Sequence, residues 1–211
     1  EKGLTTDEGA KILRVCSEYV AEERSNLANQ ESAHVAAAKK WGPWLCAFTG
    51  ARIGEVLQLR HSDIRKDGDI YIARINPDAG TVKNRSYRDV PLHPQLFEMG
   101  FGEFIDGKDG PLFYAPDADP SKLPAQAVAG TLGKWLQAQN LIPQGVQPSH
   151  GWRHRFKTVG LELGISERVL DAIQGHAGRT ASDGYGDVTM TTRIAAIAKF
   201  PRFTMKDRET A

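Results

Sequence analysis

The stretch HGWRHRFK, residues 150–157, gathers His150, Arg153, His154, Arg155 and Lys157 into eight positions of a chain whose formal net charge is only +1. Read as a helix, it places His150 and Arg153 one turn apart on one face. Pro148 and Ser149 mark the helix start, where unpaired backbone amides favour an anion such as a phosphate. A metal is the competing reading, because His150 and His154 stand four apart and His176 offers a third nitrogen. The zinc-protease helix, however, carries a glutamate directly after its first histidine. This chain has Gly151 there, and Arg153 would set a fixed cation beside the metal. Anion binding is preferred, and no metal is expected.

Three other places carry residues able to do chemistry. In TGARIGE, Arg52 opens a helix after a glycine turn and Glu55 follows one turn later. Such a pair is either part of an anion site or an exposed ion pair worth a few tenths of a kcal/mol. Lys83 falls near the tip of an expected hairpin, where a long amine either reaches into a groove or serves solubility; Arg85 and Arg88 compete for the same role. In IQGHAGRTASDGYGDV, His176 and Tyr185 stand nine residues apart, and Tyr185 sits between Gly184 and Gly186. Glycine neighbours offer no packing, so Tyr185 is a turn tyrosine with a solvated hydroxyl or a nucleophile.

Charge does not select among these on a global scale, because 27 Lys and Arg balance 26 Asp and Glu. Any anion site must be local. The charges are indeed segregated: residues 83–88 and 150–157 are basic, whereas 98–119 carry Glu98, Glu103, Asp106, Asp109, Asp117 and Asp119. Cys16 and Cys46 lie in apolar-periodic segments without a CxxC partner, which reads as buried free thiols in a reducing compartment. No apolar run approaches the ~18 residues needed to span a bilayer, and no signal-peptide pattern is present.

The elements that must position these residues follow from periodicity. A first helix opens at the capping-box spacing of Thr5 and Glu8 and carries Ile12, Val15, Cys16 and Tyr19 at helical intervals. A second is expected over residues 32–48, stopping at Thr49-Gly50, and GARIGEVLQLRHSDI resumes a short helix with Ile53, Val56 and Leu57 inward. DIYIARI alternates as a strand, and TVKNRSYRDVPL supplies the returning strands of a small antiparallel sheet with a turn near Asn84-Arg85. Helices follow from about Pro94 and over residues 125–139, 149–163 and 166–173, with an Asp-, Gly- and Pro-rich connection at 105–124. A last amphipathic helix, TMTTRIAAIAKF, presents Ile194, Ile197 and Ala198 to a partner surface. The expected fold is mainly α with a small antiparallel β-sheet, an α+β architecture.

Taken in order, TGARIGEVLQLRHSDI, TVKNRSYRDVPL, HGWRHRF and GHAGRTASDGYGD resemble the successive motifs of the tyrosine recombinases, the phage-integrase family. The resemblance implies that Arg52 and Arg153 clamp a phosphate, that His150 is the histidine preceding the second arginine, and that Lys83 is the hairpin lysine. It further makes His176 the histidine ahead of the nucleophile, Tyr185 the nucleophile, and Glu55 the supporting acid. Members usually carry a helical core-binding domain ahead of this region. By the resemblance, residues 1–211 are then the catalytic domain alone, with a segment from about 189 to 211 available to dock on a neighbouring subunit.

The implied reaction is attack of the tyrosine oxygen on a DNA phosphodiester. It gives a 3′-phosphotyrosyl bond and a free 5′ hydroxyl, with neither metal nor cofactor. Arg52 and Arg153 would supply permanently charged, planar donors to the nonbridging oxygens, worth ~3 kcal/mol for each donor removed. A tyrosine pKa of ~10 means that the phenol proton must leave as the bond forms, with His150 as the candidate to take it. Lys83 would protonate the departing oxygen, and His176 would hydrogen-bond the phosphate. Arg85, Arg88, Arg155 and Lys157 are candidate contacts to the DNA backbone. The expected partners are double-stranded DNA and further copies of the chain, a tetramer in the synapse, with an excisionase or DNA-bending protein as accessory, in the cytoplasm. A type IB topoisomerase-like or resolving enzyme and a noncatalytic DNA-binding module are the rival readings.

Overall fold

The computed structural model describes residues 3–23, 25–26, 30–75, 87–148, 150–176 and 187–204. Lys83, Arg85 and Tyr185 lie outside these segments.

Helix α1 (Thr6–Ser17) begins at a capping box: Thr5 Oγ1 accepts from Glu8 N at 3.3 Å, and Glu8 Oε2 accepts from Thr5 N at 2.8 Å. Its buried stripe of Ile12, Leu13 and Cys16 faces α2 (Ala33–Thr49). Trp41, Trp44, Leu45, Cys46 and Phe48 make α2 apolar around most of its circumference, the pattern of a helix buried on all sides. It accordingly runs through the centre, with α1, α3 (Ile53–Leu57), α6 (Pro124–Ala138) and α7 (Gly151–Glu162) packed around it. The indole N–H of Trp44 is satisfied by Ser17 Oγ at 3.0 Å, which removes the cost of burying it.

The end of α2 shapes the region where the candidate residues meet. Gly50 adopts φ 61°, and its N–H closes on Cys46 O at 2.9 Å. A Cβ there would sit 2.6 Å from both Gln174 Nε2 and Phe156 Cδ1. The position therefore requires glycine twice, for its left-handed backbone and for its close approach to Phe156 and Gln174. The short α3 begins three residues later.

Three strands, β1 (Ile64–Asp67), β2 (Ile70–Ile75) and β3 (Arg88–Pro91), form one antiparallel sheet in that order. Ile64 pairs with Ala73, and Ile75 pairs with Arg88. Residues 64–67, at and just beyond the end of the segment expected to resume as a short helix and not assigned as a strand from the sequence, form an edge strand whose residues are half-buried or exposed. The expected turn near Asn84-Arg85 falls outside the described residues. The helix expected from Pro94 is two short ones, α4 (Pro94–Glu98) and α5 (Phe101–Ile105), interrupted where Gly100 takes φ 94°.

The remaining helices are α8 (Glu167–Gln174) and α9 (Met190–Ala198). The surface that α9 seeks is supplied within the chain: it packs on β3 and α8, burying Ala196 and Ile197, while Ile194 is half-buried and Ala198 exposed. Beyond it, Phe200 stacks on Phe156 with ring centroids 4.4 Å apart. Phe203 exchanges two hydrogen bonds with the Gln95 side chain, at 2.9 and 3.0 Å. Residues 190–203 are thus fastened to the body of their own chain. The observed architecture is mostly helical with a small three-stranded antiparallel sheet, as the sequence leads one to expect.

Candidate active site

Arg52 stands at the N-cap position of α3, directly after the turn that Gly50 makes. Glu55, one turn on, reaches back to it: Arg52 N donates to Glu55 Oε2 and Arg52 Nη1 to Glu55 Oε1, both at 3.0 Å. The glutamate is not exposed. Its side chain is 3% accessible, and Arg88 donates to it from β3, Nη2 to Oε2 at 2.6 Å and Nη1 to Oε1 at 3.4 Å. Burial alone would raise the Glu55 pKa, but the charge and hydrogen bonds of Arg88, with those of Arg52, outweigh it and hold the carboxyl below its usual value. Glu55 is therefore a buried carboxylate that fixes two guanidiniums, and the exposed ion pair of the alternative reading is not what forms.

Arg153 projects from the first turn of α7 into the gap between the ends of α2 and α8. Its Nη1 donates to Gly50 O at 2.9 Å and Gln174 O at 2.8 Å, and its Nε to His176 Nε2 at 3.2 Å. Gln174, fully buried, donates from Nε2 to Arg153 O at 2.8 Å. Nη2 is buried and has no hydrogen-bond partner among the described residues. Burial first, and then the positive charge of Arg52, lower the Arg153 pKa to about 10. The side chain stays cationic at neutral pH, close enough to Arg52 to be repelled by it. A buried cation with an unfilled donor and a like-charged neighbour is relieved by an anion.

His176 follows Gly175, whose φ of 73° ends α8 and turns the chain back. A Cβ at Gly175 would lie 2.7 Å from the guanidinium carbon of Arg88, so this turn is also a close approach. His176 N bonds Asp171 O at 2.9 Å, and the ring nitrogen Nδ1 meets Asp171 Oδ1 at 2.7 Å. Burial lowers the His176 pKa, Arg153 and Lys157 add to the effect, and Asp171 opposes it. His150, at the N-cap position of α7, has a buried Nδ1 with no hydrogen-bond partner among the described residues.

Arg52, Glu55, Arg153 and His176 thus come together where α2, α3, α7, α8 and β3 converge. The other expected DNA contacts are placed differently. Arg88 is 9% exposed and bonded to Glu55 and, through Nε, to Ile173 O at 3.0 Å. Lys157 is bonded to Asp171 at 2.7 Å and Glu167 at 2.8 Å. Arg155 is half-buried, donating to Thr6 Oγ1 at 3.3 Å with its guanidinium over the Phe203 ring. Asp171 and Gln174 belong to the cluster and do not stand out in the sequence; the one signal for them is the helix stop at Gly175, which folds His176 back over the last turn of α8. Among the described residues no three His, Cys, Asp or Glu side chains group as a metal site. Both ring nitrogens of His176 are already engaged.

The sequence model of the phage integrase family matches residues 4–191. The chain belongs to that family. No curated protein matches the sequence. Among solved structures, the XerH site-specific recombinase bound to its difH substrate, in a pre-cleavage complex, is 21% identical with a TM-score of 0.59 over 84% of this chain and 48% of that one. The same recombinase on a palindromic difH substrate, in a post-cleavage complex, is 21% identical with a TM-score of 0.54, covering 84% and 47%. At this identity the likeness is one of fold. The chain spans about half the length of these relatives.

Proposed function

We propose that this protein is a site-specific DNA recombinase that cuts and rejoins strands through a covalent 3′-phosphotyrosyl intermediate, for the integration or excision of a prophage or mobile element. The observation that carries the reading is the buried Nη2 of Arg153 beside Arg52, without a hydrogen-bond partner among the described residues, in a chain of the phage integrase family. Two fixed guanidiniums suit a phosphodiester transition state, whose nonbridging oxygens stay negative. Arg52 is held for this by Glu55, and Arg153 by Gly50, Gln174 and His176.

In the proposed step the Tyr185 oxygen forms a bond to phosphorus and the bond from phosphorus to the 5′ oxygen breaks. The phenol proton passes to His150, whose Nδ1 has no other partner among the described residues. Lys83 gives a proton to the leaving 5′ oxygen. Reversal of the step with a 5′ hydroxyl from a second duplex rejoins the strands, so the energy of the backbone link is kept in the protein-DNA bond. Glu55 and Arg88 support this chemistry without touching DNA.

The partners on this reading are double-stranded DNA and other copies of the protein assembled on it, as a synaptic tetramer with an accessory DNA-bending protein, in the cytoplasm. The DNA-bound state of the structural neighbours supports the DNA in this list. The test is to select bound sequences from randomised duplexes and then mix two labelled duplexes carrying a selected site. Recombinant strands are expected. Relaxation of supercoiled DNA without recombinant strands would identify a topoisomerase-like enzyme instead.

A further inference from the structure

The hydrogen bond from Arg153 to His176 determines which proton the imidazole carries. A guanidinium N–H can only donate. With Arg153 Nε pointing at His176 Nε2 over 3.2 Å, that nitrogen must present its lone pair. The ring proton is then on Nδ1, directed at Asp171 Oδ1 2.7 Å away. Asp171 is itself fixed from α7 by Lys157 Nζ at 2.7 Å, and its backbone oxygen accepts from His176 N at 2.9 Å. His176 is therefore anchored twice to one residue, through its ring and through its backbone N–H.

From this geometry we propose that Asp171 is a positioning residue for the phosphate site: it locks His176 in the neutral Nδ1–H tautomer, so that Nε2 accepts from Arg153 Nε and Nη2 of that arginine is turned toward the reacting phosphate. The proposal rests on the reading of Arg52 and Arg153 as a phosphate clamp, and it gives His176 a task other than donating to the phosphate. In water a free imidazole prefers its proton on Nε2. Without the carboxylate, Nε2–H and Arg153 Nε–H would face each other as two donors, and the guanidinium would lose the contact that sets its orientation. A carboxylate that fixes the tautomer of a working histidine is a recurrent device. The charged groups facing the ring are Asp171 from α8 and Arg153 and Lys157 from α7, with the Arg88 guanidinium of β3 lying against Gly175. Lys157 neutralises Asp171 here and so serves the site from behind.

The experiment reads the tautomer directly, from long-range proton-nitrogen NMR correlations of the His176 ring in the 15N-labelled protein at neutral pH. It pairs this with the rate of covalent adduct formation on nicked duplex DNA. The wild type is expected to show Nδ1–H. Asp171→Leu should move the proton to Nε2 and slow adduct formation about tenfold with DNA affinity unchanged. Asp171→Asn, whose amide oxygen can still accept, should keep the tautomer and most of the rate. A wild-type ring protonated on Nε2, or on both nitrogens, overturns the proposal whether or not the leucine variant folds. So does a tautomer change that leaves the rate untouched. If the wild type forms no adduct at all, the recombinase reading fails, while the ring tautomer still decides whether Asp171 positions Arg153.

Discussion

Arg88 Nη2 and Glu55 Oε2 lie 2.6 Å apart with both side chains less than a tenth exposed, joining β3 to α3 beneath the two arginines of the site. Removing one member of a buried pair leaves an uncompensated charge, which costs about 3 kcal/mol or more. Arg88→Met should therefore lower the unfolding free energy by about 3 kcal/mol in urea titrations. The slope of DNA affinity against salt should stay as in the wild type, because a lost phosphate contact would reduce it by about one. An unchanged stability with a shallower salt slope would return Arg88 to the DNA surface.

Arg153 distributes three donors over Gly50 O, Gln174 O and His176 Nε2, while its Nη2 has no partner among the described residues and, on the proposed function, is the donor left for the phosphate. A lysine at this position keeps the charge but has one compact head with three donors and no fork. Arg153→Lys is expected to slow single-turnover adduct formation by about 10²–10³-fold. A loss of less than about tenfold would mean that charge alone suffices.

Acid should destabilise the fold through Glu55. Its folded pKa is depressed, so its contribution is fully present above the unfolded value of ~4.3 and is lost as pH falls through the folded one. Asp89, held at about 2 first by its hydrogen bond to Arg74 and also by Arg65, acts in the same sense at lower pH. It adds less, because Arg74 and Arg65 are each more than two-fifths exposed. The melting temperature should thus fall as pH is lowered from about 5 toward 2. Glu55→Gln should flatten that descent, and an equal slope in both proteins would remove Glu55 from the account.

Cys16 and Cys46 are 0% and 1% exposed, and burial pushes both thiols well above their ordinary pKa. Neither should react with a disulfide reagent in the native protein, and both should react at once in denaturant. Rapid labelling of either thiol under native conditions would contradict the packing of α1 against α2.

The elements legible in the sequence are those with local signals. The capping box at Thr5 and Glu8, the glycine stop at Gly50 and the alternation of IYIARI each act over a few residues, and the corresponding elements are where those signals put them. Strand β1 escapes such a reading because its Arg65, Lys66 and Asp67 face solvent and leave no apolar alternation. The two-residue Gly68-Asp69 loop, across which Asp67 pairs with Ile70, is the hairpin signal that marks β1 as the strand preceding β2. At the site, Arg52 and Arg153 can be chosen by residue type, but the burial of Arg88 cannot. Its partner Glu55 lies 33 residues away, and only the packing of β3 against α8 and α9 makes Arg88 an internal ion. Asp171 is hidden for a related reason: its link to His176 depends on the turn at Gly175, which spacing alone does not express.

On the proposed function the two guanidiniums serve a phosphoryl transfer to Tyr185. That transfer is tested most directly by incubating the protein with nicked duplexes carrying its selected site, resolving the products on a denaturing gel, and mapping any protein-DNA adduct by peptide mass. The expected result is a covalent adduct on the peptide containing Tyr185 that is absent in Tyr185→Phe, while the variant binds DNA as tightly as the wild type. An adduct that persists in Tyr185→Phe, or a wild type that binds the same DNA tightly and never becomes joined to it, would contradict the claim.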